Sequence, residues 1–255
     1  MKKLWLYEMT WEEIADAIRE PSIVLVPLGS TEQHGRHLPE GTDTMVAIKV
    51  ALDVAKEIGG IVAPPLWFGW SPHHMPYAGT ISLRSEVLVD VVVDICRSLA
   101  QHGFRTIILV NGHRIANLPP LQLAAAKVTE ENGTRIVLVD PAFMAKTVAN
   151  RLGLGDIGHG DELETSHMLY IHPELIKMDH ASRNVPPPKR MYRVDPRYEG
   201  DTSVYVPSTA AEMDKLRMIS GGVVGDPTRA SAEKGKQLHE GLVENIVAMI
   251  KELES

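Results

Sequence analysis

The stretch IVLVPL at residues 23–28, followed by GSTEQHGRHLPEGTD at residues 29–43, decides the fold of this chain. A short apolar run of this kind has the length of a buried strand in a parallel sheet, and the polar segment after it contains Glu32, His34 and Asp43. Ligand-binding loops of open α/β sheets follow the carboxyl ends of their strands. The stretch therefore predicts a functional loop at one edge of a parallel sheet.

The spacing within this loop predicts a metal site. Glu32 and His34 are two positions apart, and such side chains point to the same side of an extended chain. The glycines and the proline that follow suit a turning backbone that returns Asp43 to the same point. Two carboxylates and one imidazole suit a divalent transition metal better than calcium or magnesium. The alternative is a solvated polar loop whose charges are incidental.

Two further segments place similar residues at the ends of other apolar elements. The residues TIILVNGH at 106–113 form a β-branched run of strand length that puts His113 at a second strand end. The residues HGDELETSHML at 159–169 have a glycine-rich approach, with Gly160 after His159, and continue as a predicted helix. Glu164 lies five positions after His159. The three segments can converge in the crevice at the strand ends.

The convergence suggests how the ligands would divide between two ions. If Asp43 bridges two ions about 3.5–4 Å apart, Glu32 and His113 can complete one site, and His34 and Glu164 the other. This division is a hypothesis from residue types alone.

Several motifs together resemble the creatininase (creatinine amidohydrolase) family. They are GSTEQHG at 29–35, GTD at 41–43, GTISL at 79–83, NGH at 111–113, HGDELETS at 159–166, and GDP at 225–227 followed by ASAEKG at 230–235. The match follows the family's order and spacing over nearly the whole chain. The resemblance implies a three-layer α/β/α sandwich with a mainly parallel sheet, a binuclear centre of zinc, manganese or iron, and assembly into homohexamers.

The resemblance also implies a mechanism, because His159 stands at the position of the family's catalytic histidine. We expect a water whose pKa the ions lower toward about 7 to attack a carbonyl carbon. His159 would carry a proton from this nucleophile to the leaving atom. Glu164 has two open roles, as a metal ligand or as the group that orients the water.

Composition agrees with a single enzyme domain over residues 1–255, a length that can bury a sizeable core. A net charge of −7 provides no basic surface for nucleic acid, and no apolar run is long enough to span a membrane. A lone cysteine, Cys96, excludes an intrachain disulfide framework, and its place in a helical pattern indicates a buried apolar role. We expect a cytoplasmic protein.

Apolar patterns alternate along the chain as strand and helix, which indicates a mainly parallel sheet covered on both faces. The predicted strands are 23–28, 61–65, 106–111 and 134–139, and the predicted helices are 43–58, 85–102, 116–132, 142–151, 162–171 and a last one that begins at Asp226-Pro227. Residues 182–225 are a proline-rich, basic connection without helical periodicity, in which 203–206 is a candidate short strand. This length favours an active-site lid or a subunit contact over an idle linker.

Four residues bear on the substrate. Creatinine-cleaving members carry a carboxylate two positions after the strand-end histidine, where this chain has Ile115, which cannot bind a metal. Arg114 could bind a carboxylate, a phosphate or vicinal hydroxyls, or form a surface salt bridge. Asp161 could accept a hydrogen bond from a hydroxyl or stabilise a helix N-terminus. His74, in a segment that follows the second strand, is predicted to line the pocket.

These departures argue against creatinine and predict a hydrolase of a small polar compound that is cyclic or contains an amide. Arg114 and Asp161 favour ring opening of a hydroxyl-rich cyclic ketone such as 3-dehydro-scyllo-inosose, because buried hydroxyls need charged or amphoteric partners. The alternatives are a cyclic-amide amidohydrolase, a deformylase, a peptide-trimming enzyme, or a non-catalytic metabolite-binding protein. A serine hydrolase that uses Ser30 is disfavoured, because the sequence lacks a Gly-x-Ser-x-Gly elbow.

Overall fold

The computed structural model describes residues 3–19, 23–187 and 207–254. Within these residues, the sheet has four parallel strands in the order β2-β1-β3-β4. These strands are β1 Ile23–Leu28, β2 Ile61–Val62, β3 Thr106–Asn111 and β4 Arg135–Val139. Leu28 pairs with Asn111, so β1 and β3 end side by side at the same edge. This edge carries the two polar loops that the sequence singled out.

Helices cover both faces of the sheet. They are α1 Trp11–Ala17, α2 Thr42–Ile58, α3 Ser85–Gln101, α4 Arg114–Asn132, α5 Pro141–Met144, α6 Lys146–Arg151, α7 Glu162–Ile171, α8 Ala210–Ser220 and α9 Ala232–Glu254. Alternate side chains of β3 enter opposite cores, as Ile108 packs with α2 and α9 whereas Ile107 packs with α3 and α4. The predicted three-layer α/β fold with a parallel sheet is confirmed.

The main predicted elements match the structure closely. Strands 23–28 and 106–111 and helix 162–171 have the predicted bounds. The second strand is shorter than predicted, because Pro64 and Pro65 follow it and have no N–H to donate to a sheet. The predicted helix 142–151 consists of two short helices, α5 and α6.

The predicted start of the last helix was wrong. Asp226 does accept a hydrogen bond from the Thr228 N–H at 3.2 Å, but it caps only the 3₁₀ turn Pro227–Arg229. Ala230 is extended, and α9 begins at Ala232 after Ser231 accepts the Lys234 N–H at 3.2 Å. The cap predicted at Asp226 is present, but it belongs to a shorter element.

The predicted connection over 182–225 is partly helical, which corrects the sequence prediction. Helix α8 begins with a capping box in which Thr209 and Glu212 satisfy each other's backbone N–H groups. This Thr-x-x-Glu pattern was the missed signal. The candidate strand 203–206 and most of the basic residues of the connection lie outside the described residues. Within the described ranges, no helix is both long and apolar enough to cross a membrane.

Candidate metal centre

The loop after β1 carries three of the predicted ligands, and its backbone folds them together. Gly35 adopts the left-handed backbone conformation with φ 77°, which only glycine adopts at low cost. The Glu32 N–H donates to the Glu40 carbonyl at 2.9 Å and closes the loop. Helix α2 then begins at Thr42, so Asp43 lies in its first turn beside the strand ends.

The end of β3 approaches this loop very closely. A side-chain Cβ at Gly112 would lie 2.0 Å from the Asp43 carbonyl oxygen, so only glycine fits. The Asn111 amide donates to the His113 carbonyl at 2.9 Å and fixes the turn that begins α4. The Asn-Gly-His sequence thus provides the turn, the close approach and the imidazole.

One group of ligand atoms comprises Glu32, Asp43 and His113, all buried. His113 Nδ1 lies 3.2 Å from Glu32 Oε1 and 3.1 Å from Asp43 Oδ2. His113 Nε2 faces the Ser71 hydroxyl at 3.2 Å. A hydrogen bond from Nε2 to Ser71 leaves Nδ1 with a lone pair directed at the carboxylates, as a metal ligand requires.

A second group of ligand atoms comprises His34, His159 and Glu164, and it lies on the other side of Asp43. His34 Nε2 is 2.9 Å from Asp43 Oδ1 and 3.9 Å from Glu164 Oε2. His34 Nδ1 donates to the Glu32 backbone carbonyl at 3.0 Å, which leaves Nε2 to face the carboxylates. Asp43 therefore has one oxygen toward each group.

The polar atoms of this centre fit bound cations. Both Glu32 carboxylate oxygens and Asp43 Oδ2 are buried without a hydrogen-bond partner among the described residues. Unpaired buried carboxylate oxygens are costly unless a cation or a donor compensates them. Two imidazoles and three carboxylates match the donor set of a binuclear transition-metal site.

The charges around the centre reinforce this conclusion. Burial raises the pKa of the Glu32 carboxyl, but the nearby His113 and His74 hold that pKa well below its usual range. Burial lowers the pKa of His34, but Asp43 and Glu164 raise it to about 10. Burial raises the pKa of Glu164 to about 8. Without metal, protons on His34 and Glu164 offset the negative charge that a cation would neutralise.

The predicted proton shuttle, His159, lies within the same cluster. Its Nε2 donates to the Gln33 carbonyl at 2.5 Å, so Nδ1 of the neutral ring is an acceptor. Burial and the charge of His34 lower the pKa of His159 to about 4. The ring centroid lies 4.4 Å from that of His34. A neutral imidazole with a free acceptor nitrogen has the form that a general base needs.

His74 is buried beside the first group. Gln33 Oε1 accepts the Gly35 N–H at 2.8 Å, so the Gln33 amide nitrogen faces His74 Nδ1 at 3.1 Å. His74 Nδ1 is therefore the acceptor, and its Nε2–H faces Glu32 Oε1 at 3.4 Å. The predicted pocket residue thus lies directly against a candidate ligand.

Arg114 and Asp161, the other two predicted substrate-binding residues, have different surroundings. Arg114 Nε donates to Asp140 Oδ2 at 2.7 Å, and both side chains are partly buried. Asp161 is buried and caps α7, where its two oxygens accept the Glu164 N–H at 2.9 Å and the Gly158 N–H at 2.6 Å. The Asp161 geometry favours the helix-terminus role that the sequence left open.

A cavity of about 60 Å³ adjoins the centre between α2, α4, α7 and α9. Its polar lining includes Asp43 and Glu164 from the centre, the Arg114 and Asp140 pair, and His167. Apolar residues such as Ile157 and Leu242 line the rest. Neither His74 nor Asp161 is among the described lining residues.

Sequence reasoning missed Ser71, Gln33, Asp140 and His167. Ser71, Gln33 and Asp140 act through hydrogen bonds to distant residues, and no local pattern reveals such partners. His167 had a usable signal, because it stands three positions after Glu164 and therefore shares its face of α7. Ser30 bonds the Ser71 hydroxyl at 2.5 Å, while both ring nitrogens of His34 are engaged elsewhere, so the structure offers no support for a serine nucleophile.

Comparison with known proteins places this site in context. A model of the creatininase family, described as creatinine amidohydrolase, matches residues 7–250. Creatinine amidohydrolase of Pseudomonas putida is 30% identical over 98% of this chain and 97% of its own length. A 3-dehydro-scyllo-inosose hydrolase of Thermotoga maritima is 28% identical over 98% of this chain and 83% of its own length. A mycofactocin precursor peptide peptidase of Mycobacterium ulcerans is 33% identical over 90% of this chain and 84% of its own length.

Solved structures give the same result. A crystal structure of creatininase superposes with a TM-score of 0.81 at 28% identity, and covers 99% of this chain and 98% of its own. Creatininase structures described as Zn-Zn type, as Mn, and as complexed with creatine each have a TM-score of 0.80 at 28% identity.

Proposed function

The chain belongs to the creatininase family, and on this premise we propose that its metal-dependent hydrolase centre opens the ring of a small, hydroxyl-rich cyclic ketone such as 3-dehydro-scyllo-inosose. The family's relatives are named for a cyclic polyol ketone, a cyclic amide and a peptide. Family membership therefore indicates metal-dependent hydrolysis, and the residues beside the centre have to select the substrate.

The observation that carries the proposal is the placement of the Arg114 and Asp140 ion pair. These side chains line the same small cavity as Asp43 and Glu164, so a hydroxyl-bearing edge of a molecule at the centre contacts the pair when it enters this cavity. A guanidinium donor next to a carboxylate acceptor can bind adjacent hydroxyl groups, which both donate and accept hydrogen bonds. The relative that acts on 3-dehydro-scyllo-inosose supports the same choice.

We propose that Glu32, Asp43 and His113 hold one divalent ion, and His34, Asp43 and Glu164 the other, with zinc, manganese or iron as candidates. When bound, the ions would polarise the substrate carbonyl and acidify a water molecule. The residues of the chain supply the rest of the chemistry. His159 Nδ1 accepts the proton of the attacking water and returns it to the leaving atom, while the hydrogen bond from Nε2 to Gln33 holds the ring in place.

The second candidate function is a cyclic-amide amidohydrolase. The specific observation in its favour is the 30% identity to creatinine amidohydrolase over nearly the full length of both chains. Ile115 argues against creatinine itself, because it stands where creatinine-cleaving members have a carboxylate. The homohexamer, the single domain and the cytoplasmic location expected from the sequence stay predictions.

Hydrolysis of a substrate panel by the purified protein tests the proposal. The panel contains creatinine, cyclic amides, formamidopyrimidines and inososes, and the metal content is determined on the same sample. We expect turnover of the inosose and no release of amine from the amides. Amide turnover without inosose turnover would contradict the proposed substrate class and favour the second candidate.

A further inference from the structure

A chain of hydrogen bonds connects the cavity with the protein surface. His167 Nε2 lies 2.8 Å from His239 Nδ1, and His239 Nε2 lies 2.9 Å from Asp53 Oδ2. Both histidines are buried, whereas the Asp53 side chain is 34% exposed and pairs with Lys49 at 3.0 Å. The chain therefore runs from α7 through α9 to the outer side of α2.

The carboxylate at one end determines the direction of every bond. An ionised carboxylate only accepts hydrogen bonds, so His239 Nε2 carries the proton that faces Asp53. Asp53 is ionised at neutral pH, since its bonds to Lys49 and His239 outweigh partial burial and lower its pKa. Burial keeps both rings neutral, because it lowers the pKa of His239 and lowers that of His167 to about 3. His239 Nδ1 is then an acceptor, His167 Nε2 is the donor, and His167 Nδ1 holds a lone pair.

His167 is one of the residues that line the cavity beside the metal centre. It follows Glu164 by three positions on α7, so the two side chains share one face of the helix. Among the described residues, His167 Nδ1 takes part in no hydrogen bond. Protein atoms do not enclose this nitrogen completely. An acceptor nitrogen is thus available in the lining of a cavity that also includes the guanidinium of Arg114, which only donates.

We propose that His167 binds substrate by accepting a hydrogen bond at Nδ1 from a hydroxyl group, and that Asp53 and His239 fix this acceptor form from outside the cavity. This inference rests on the proposed function, which directs hydroxyl groups of the ring into the same cavity. His167 touches substrate directly, whereas His239 and Asp53 are positioning residues. A site with an acceptor on one wall and a guanidinium on another selects a ligand that presents both donors and acceptors.

The substitution Asp53→Leu tests the positioning role without touching the cavity. Leucine removes the acceptor that holds the proton on His239 Nε2, so both tautomers of the two rings become populated and part of the protein carries a proton on His167 Nδ1. The matched control is Glu57→Gln, which removes an exposed carboxylate from the same helix but lies outside the chain of hydrogen bonds. Two further variants address His167 directly. His167→Asn retains an oxygen acceptor near the position of Nδ1, and His167→Phe removes the acceptor.

The direct readout is the ¹⁵N chemical shift of His167 Nδ1 in the zinc-loaded protein, with and without scyllo-inositol as a polyol probe. We expect an unprotonated Nδ1 that shifts when scyllo-inositol binds, and a partly protonated Nδ1 in Asp53→Leu but not in Glu57→Gln. A protonated Nδ1 in the parent protein, or no response to the polyol, would overturn the inference.

Kinetics with the inosose give the second readout. Loss of one substrate hydrogen bond is expected to raise KM about tenfold in His167→Phe, while kcat changes less than about twofold. The rise should be smaller in Asp53→Leu, because part of that protein retains the acceptor. His167→Asn should recover most of the loss. Equal KM values for Asn and Phe at position 167 would refute the acceptor role. Failure of the proposed reaction gives a different pattern, in which Nδ1 still responds to the polyol but no inosose is consumed.

Discussion

His34 Nε2 lies 2.9 Å from Asp43 Oδ1, although nine positions separate the two residues in the chain. The loop between them returns on itself and enters α2, so that an imidazole at a strand end meets a carboxylate in the first turn of a helix. Asp43 presents its second oxygen to His113 at the end of the neighbouring strand. Asp43 therefore lies between His34 on one side and His113 on the other, with one carboxylate oxygen toward each imidazole.

The close approach of β3 to α2 predicts that Gly112→Ala damages the centre. The added methyl group would lie 2.0 Å from the Asp43 carbonyl oxygen, so the helix start has to move. Overpacking of this kind costs about 1–3 kcal/mol of unfolding free energy. Chemical denaturation measures the loss, and Gly155→Ala is the control, because its nearest contact is a carboxylate oxygen of Glu162 at 3.3 Å. Equal stability of the two variants would contradict the described packing.

His159→Asn should separate catalysis from metal binding. Asparagine can retain an acceptor oxygen in the place of Nδ1 but cannot take up a proton at neutral pH. We expect kcat to fall by about 10²–10⁴, the usual contribution of general acid–base catalysis, with both ions retained. Steady-state kinetics and metal analysis on one sample check this. Loss of an ion together with activity would instead assign His159 as a ligand.

Metal affinity should rise with pH. In the metal-free protein, His34 has a pKa of about 10 and Glu164 a pKa of about 8, so both are protonated at neutral pH. An ion can bind these side chains only after their protons leave, and raising the pH removes that competition. Calorimetric titration with zinc in buffers of different ionisation enthalpy should record proton release on binding. Affinity that stays constant from about pH 6 to pH 8 would exclude this linkage.

The ion pair between Arg114 and Asp140 in the cavity predicts weaker substrate binding in Arg114→Gln. This change removes the charge that Asp140 holds in place, and the cost of losing a charge-assisted hydrogen bond is about 1.5–3 kcal/mol. KM for the inosose should therefore rise about tenfold or more, with metal content unchanged. Lys127→Gln on the outer part of the same helix serves as the control. A parent-like KM would leave Arg114 with a purely structural salt bridge.

The sequence predicted the sheet and the loops at its edge because both depend on local patterns. The apolar runs of β1 and β3 and the helical signals of α7 are each complete within a short window. The same holds for the ligand types at strand ends, so a short stretch of sequence is enough to identify Glu32, His34 and Asp43 as candidate ligands.

The remaining features depend on partners that are distant in the chain. No local pattern links His167 with His239 and Asp53, which lie on three different helices. Asp161 was ambiguous for a similar reason, because only the fold shows that backbone N–H groups occupy its oxygens. The start of α9 was misplaced because a cap motif identifies a helical turn but not the length of the helix that follows.

The two-ion centre is the central claim, and metal stoichiometry tests it most directly. Purified protein and the variant Glu32→Gln would be loaded with zinc or manganese, freed of excess metal and analysed for bound ions per chain. We predict two ions in the parent protein, and one or fewer in Glu32→Gln with loss of turnover. A parent protein that retains no divalent ion, or a variant that retains both, would contradict the account.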